Sequence, residues 1–268
     1  MQVIPVTAVH RGFGQTSRRD KWWTAPLSVF VGLSACLGYM TWAAFQGEYF
    51  ESGPYLSPLY APVLWGNSPH AWFGASPPWW PGFLPFSPAL LILPFPGGFR
   101  FTCYYYRGAY YKAFWADPPS CAVGEPRKSY LGENSFPLIL QNIHRYFMYA
   151  AVVFLFLLSY DVWLAMWFVN PATGAKEFGI GLGTLILLLN VVLLSSYTLG
   201  CHSVRHIVGG WKDEVSKSSA VGQACYNCSS SLNDRHQLFA WVSLFTVTFC
   251  DIYIRLCAMG IWTDLRIL

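Results

Sequence analysis

The sequence predicts an all-α integral membrane protein of about five transmembrane helices, with a Pro/Trp-rich extramembrane segment after the first. Three observations predict it. Only 11% of the 268 residues are charged and 54% are hydrophobic, against roughly 25% charged in a soluble domain, and the mean hydropathy is +0.35. Several apolar runs reach the about 20 residues that a helix needs to cross a bilayer core. Lysine and arginine crowd to one side of those runs.

The elements follow in chain order. Residues 1–23 lack the apolar core and small-residue cleavage site of a signal peptide, so they are expected to stay as a cytoplasmic N-terminal segment. Residues 24–46 contain the uncharged run PLSVFVGLSACLGYMTWAAF, the first crossing. Residues 47–83 are dense in Pro, Gly and Trp, which forbids regular helix over most of the stretch. Residues 84–116 then read as a broken membrane or interfacial helix that completes a second crossing. A cytoplasmic loop is expected over 117–136, crossings over 137–169 and 178–206, a second cytoplasmic loop over 207–234 and a last crossing over 235–262. With five crossings, fourteen Lys and Arg from Arg11 to Arg235 share one side and only Lys176 and Arg266 lie on the other. That bias predicts a bacterial inner-membrane protein with a cytoplasmic N-terminus. The net charge of +4 is no nucleic-acid signal, because the basic residues sit at membrane edges.

Chemistry-bearing side chains gather on the basic side. His144 opens the third crossing, His202 and His206 close the fourth, and His236 opens the fifth. Cys103, Cys121 and Cys201 fall on the same side. His202 and His206 are four apart, so on a helix both rings can point one way. Imidazole with thiolate suits zinc or iron–sulfur chemistry. A Rieske-type [2Fe–2S] centre takes two cysteines and two histidines, at potentials suited to quinone. Each residue also has a plainer reading: an interfacial histidine is an anchor, and a buried cysteine, such as Cys36, Cys250 or Cys257, is a small hydrophobe. The CYNC pair, Cys225 and Cys228, reads as a bland loop, since no second CxxC accompanies it. Haem b remains an alternative, limited to one haem because the other leaflet has no histidine. A di-iron site wants more histidines, and a metal-handling transporter wants ligands spread through the bilayer and a repeated topology. Asp251 and Arg255 are four apart in the last span and can pair, whether as a helix lock or as functional groups, while Asp161 lies alone in the third.

The blocks FTCYYYRGAYYKAFW, DPPSCAVGEP, LILQNIHRYF, GCHSVRHIVGG and LNDRHQLFAWVSLF occur in one order over roughly residues 99–262. Together they resemble the single-chain membrane anchor of the actinobacterial class of succinate dehydrogenase/fumarate reductase. The resemblance implies a five-helix anchor beneath a flavoprotein and an iron–sulfur subunit, with a Rieske-type cluster in the anchor and no haem b. Cys103, Cys121 and Cys201 then compete for two thiolate positions, and His144, His202, His206 and His236 for two imidazole positions. CYNC is not part of the family pattern. The succinate site lies in a partner, so no catalytic residue for it is expected here. Electrons reach this chain and pass to menaquinone or ubiquinone. Arg107, Arg145 and Arg205 are candidates to balance charge on the cluster, the reduced quinone or the docking partner. Tyr106 or Tyr111 is a candidate donor to a quinone carbonyl, and Trp115 a cover for its ring.

Overall fold

The computed structural model describes residues 12–127, 134–136, 138–210, 214 and 219–268. Arg11, Lys128, Lys212 and Lys217, part of the charge pattern above, lie outside the described residues. Among the described residues, four helices are long and apolar enough to cross a membrane: Thr24–Gln46, Leu138–Leu164, Leu182–Leu199 and His236–Ala258. We label the helices α1 (Thr24–Gln46), α2 (Pro88–Ile92), α3 (Pro94–Phe101), α4 (Tyr104–Ala113), α5 (His144–Leu164, preceded by a 3-10 turn at Leu138–Ile143), α6 (Leu182–Leu199), α7 (His202–Gly209), α8 (Ala220–Asp234) and α9 (His236–Ala258). Two short hairpins complete the list: β1 (Glu51–Ser52) with β2 (Tyr55–Leu56), and β3 (Trp167–Val169) with β4 (Lys176–Phe178).

The second expected crossing, read from the sequence as a broken helix, is not one long helix. Residues 84–116 form α2, α3 and α4, three short helices. Prolines 88, 94 and 96 explain the breaks: each sits in a first turn, where its missing N–H costs nothing, and none could continue a helix from before it. The 207–234 stretch, expected as a loop, carries α8, whose first turn is capped by the Ser219 hydroxyl accepting from the Gly222 N–H. CYNC therefore lies on a helix, with both thiols exposed.

The chain divides into two compact units, Met1–Ala35 with Arg100–Ile143, and Cys36–Phe99 with His144–Leu268. In the first, the N-terminal segment is tied to the loop after α4. Thr16 bridges Val123, and Arg18 Nη1 donates to Ser120 Oγ at 2.8 Å and to the Cys121 carbonyl at 3.0 Å. Arg18 also pairs with Asp20, holding that carboxyl below its usual range. Phe30 of α1 meets Phe114 at 4.9 Å between ring centroids.

In the second unit, α6 packs between α5 and α9. Val162, Leu187, Tyr253 and Ile254 form one buried cluster, and Ala43, Leu59, Tyr60, Ala89, Leu158 and Val247 belong to another. Residues 55–63 are buried throughout, although only Tyr55–Leu56 has regular structure. Non-helical backbone in such surroundings needs internal partners. Ser57 N–H donates to the Phe50 carbonyl and Tyr60 N–H to the Ser57 carbonyl, while the Tyr60 hydroxyl donates to the Ala43 carbonyl at 2.6 Å. The α9 pair supplies the rest. The Asp251 carboxylate accepts from Ser57 Oγ (2.5 Å), Tyr39 Oη (2.6 Å) and Arg255 Nε (3.2 Å). Arg255 Nη1 donates to the Glu48 carbonyl at 2.8 Å, and its guanidinium lies 5.3 Å from the Trp42 ring.

A second carboxylate pins the start of α6. Asp264 accepts from Tyr55 Oη (2.7 Å), Tyr253 Oη (2.6 Å) and the Gly183 N–H (2.9 Å), placing an anion at a helix N-terminus. Gly183 lets Tyr55 approach: a Cβ there would lie 2.7 Å from the tyrosine ring. Gly183→Ala is expected to overpack this corner by about 1–3 kcal/mol, measured as a lower thermal midpoint of the solubilised protein.

Candidate functional site

Among the described residues, two helices begin directly after a cysteine. Cys103 is the N-cap of α4 and Cys201 the N-cap of α7, each with extended backbone and each 2% exposed. Cys121, by contrast, is exposed in a turn.

In the second unit, Cys201 Sγ lies 3.0 Å from His144 Nε2. Three aromatic contacts extend the group. His144 stacks on Phe99 (4.9 Å, 10°), Phe99 meets Tyr197 edge-on (5.4 Å), and Tyr197 stacks on His236 (4.9 Å, 16°). His236 is 8% exposed. These rings form one aromatic cage with Cys201 and His144 at one end and His236 at the other, Phe99 and Tyr197 lying between the two imidazoles. His202 and His206 differ, both being exposed on α7. His206 Nδ1 accepts from Arg145 Nη2 at 3.0 Å, which engages Arg145 as well. Arg205 Nη2 donates to Tyr226 Oη at 3.2 Å, and that hydrogen bond holds the phenol below its usual range.

The position of Cys201 is braced by α8. Ser229 Oγ donates to the Leu199 carbonyl (2.9 Å) and Asn233 Nδ2 to the Gly200 carbonyl (2.7 Å), satisfying acceptors that the end of α6 leaves open.

The donor types present, a thiol against an imidazole with a second imidazole in the same cage, suit the chemistry of a Rieske-type centre. Among the described residues, no three His, Cys, Asp or Glu side chains converge as a metal site.

The first unit holds a pocket of about 240 Å³ lined by Tyr104, Arg107, Gly108, Tyr111 and Asp117. The Arg107 guanidinium lies 4.8 Å from the Tyr104 ring centroid and 5.9 Å from that of Tyr111, and Nη1 donates to Gln141 Oε1 at 3.2 Å. Gln141 Nε2 in turn donates to Tyr110 Oη at 2.6 Å. Trp115 packs edge-on against Tyr111 at 5.1 Å, and Arg127 pairs with the buried Asp117 carboxylate at 3.3 Å. Arg107, Tyr111 and Trp115 are thereby grouped. Tyr106 is not among the lining residues: it is 4% exposed and its hydroxyl accepts from Arg100 Nη1 at 2.9 Å. Sequence reasoning missed Tyr104 and Asp117. Tyr104 was hidden in the tyrosine run, and Asp117 in a loop whose only cue was the following proline.

Residues 24–260 match the family described as actinobacterial succinate dehydrogenase subunit SdhC. The chain belongs to that SdhC family. It is a subunit of a succinate dehydrogenase, a multi-pass protein of the bacterial inner membrane, and the enzyme's catalytic site for succinate is in partner subunits. A solved chain from the Mycobacterium smegmatis Sdh1 complex in the apo form is similar to it, at 45% identity with a TM-score of 0.84, covering 94% of each chain. No curated protein matches. These matches favour neither the haem b reading nor the transporter reading.

Proposed function

We propose that this SdhC-family chain takes electrons from a partner iron–sulfur subunit, itself fed by a flavoprotein subunit, and delivers them to a membrane quinone. The observation that carries the redox part is the thiol–imidazole pair, Cys201 Sγ 3.0 Å from His144 Nε2, within the cage that also holds His236. Cys201, His144 and His236 are the side chains that would hold a Rieske-type [2Fe–2S] cluster from this unit. Bound there, the cluster would supply a one-electron relay at the raised potential that imidazole ligation gives. The chain's own contribution is to keep the Cys201 thiol out of water at a helix N-terminus and to fix the imidazole planes by stacking. The basic residues 100–127 and 145–205 are on the cytoplasmic side in this reading, with the N-terminus. The direct test is electron paramagnetic resonance of the reduced complex. A Rieske-type signal is the expected result; a haem Soret band with no such signal overturns the reading.

The quinone ring is assigned to the pocket beside Arg107. Tyr104 and Tyr111 present ring faces, Trp115 stiffens the Tyr111 wall, and Arg107 can donate to a quinone carbonyl oxygen and stabilise the negative charge that develops there on reduction. Menaquinone and ubiquinone share that carbonyl chemistry. A hydrogen bond to a charged group is worth about 2 kcal/mol. Arg107→Leu is therefore expected to lower kcat/KM for quinone by roughly thirtyfold. Succinate oxidation coupled to a water-soluble dye should be unchanged, which checks that the partner subunits remain intact.

A further inference from the structure

The 36 residues from Leu64 to Phe99 include no Asp, Glu, Lys or Arg, and the uncharged stretch reaches back to Ser52. Within it, residues 64–87 form an irregular flap with large side chains turned outward. Trp72 is 54% exposed, Phe73 62%, Trp79 60% and Phe83 87%. In a water-filled loop such exposure is costly.

The depth of the flap follows from α2, α3 and α5. Ala89 lies in the same buried cluster as Leu158, Phe95 meets Phe154 (6.3 Å), and Gly98 lies against Phe147. Helix α3 therefore runs antiparallel to α5, and the start of α2 shares a buried cluster with Leu158. That is six residues before the end of α5 at Leu164, or about 9 Å below it at 1.5 Å per residue. The flap ends where α2 begins, in a cluster that lies short of the C-terminal end of the apolar helix α5.

Its backbone suits such a place. Five of the twelve residues from Pro77 to Pro88 are proline and bring no N–H donor. Trp80 N–H donates to the Pro77 carbonyl, Leu84 N–H to the Pro81 carbonyl, and Trp80 Nε1 to the Leu84 carbonyl. Tryptophan rings favour the boundary between headgroups and acyl chains.

We infer that residues 72–86 are not an extramembrane cover but a wedge seated in the leaflet opposite the basic side, with Trp79 and Phe83 against phospholipid acyl chains. The test places the photoreactive p-benzoylphenylalanine at Phe83 in the intact complex in phospholipid vesicles. A second variant carries it at Val221, an exposed residue of α8 outside the four spans. After irradiation, mass spectrometry of the digested chain is expected to show a phospholipid adduct at 83 and none at 221. A crosslink from 83 to another subunit or to a second copy of this chain overturns the assignment, as does recovery of an unmodified peptide at 83. Because both variants keep native spans and ligands, co-purification of the partner subunits with each variant reports that the complex is assembled.

Discussion

Asp251→Ala is expected to prevent stable assembly of the subunit. The mutation strips three donors, Ser57, Tyr39 and Arg255, of a common acceptor whose residue is 0% exposed. Removing one member of a buried ion pair costs about 3–5 kcal/mol because the other charge stays behind. That is a large fraction of the about 5–15 kcal/mol by which a folded protein is stable. The measurement is the yield and thermal midpoint of the solubilised complex. Asp251→Asn should lose less, since the amide oxygen still accepts, and Asp251→Asn with Arg255→Gln should recover part of the loss by removing the stranded cation. If Asp251→Ala and wild type had equal midpoints, the network would not hold the buried 55–63 segment in place. The carboxylate's partners are α1, residue 57 and its own helix, the arrangement expected of a helix lock, one of the two sequence readings of this pair.

Cys201→Ser and His144→Ala are expected to abolish the Rieske-type signal and reduce quinone-linked turnover to background. The dye-linked reaction should remain, because it leaves the enzyme before this subunit. The two should fail alike, since they form one pair 3.0 Å apart. His236→Ala should follow them. His202→Ala and His206→Ala should retain signal and activity, both side chains being exposed and His206 engaged with Arg145. Cys103→Ser and Cys121→Ser, read in the same assay, identify the second thiolate. Normal quinone turnover in Cys201→Ser would remove the proposed relay.

The long spans were legible because lipid imposes a simple rule, and uninterrupted apolar runs such as 178–201 obey it without help from tertiary structure. The chemistry-bearing residues were legible as a class, since Cys and His at span ends stand out against an apolar background. Choosing among them was not. His144 and His202 look equivalent as residues near helix ends, and only packing shows that one stacks on Phe99 in a cage while the other is exposed. The i,i+4 spacing foretold the Asp251–Arg255 bond, yet Ser57 and Tyr39 lie about two hundred positions away and carry no periodic signal. Helix α8 was missed because its Ser, Asn and Cys content reads as loop, whereas its stability comes from a serine cap and from docking against the end of α6.

That docking has a mechanical consequence. The two peptides that α8 grips, at residues 199 and 200, immediately precede the Cys201 thiol. Any protein that leans on the outward face of α8 therefore loads a strut whose far end is the metal-binding candidate itself. Seating of a neighbour and the electronic surroundings of Cys201 become one variable, so a complex lacking that neighbour should differ spectroscopically from the intact assembly even with every ligand present.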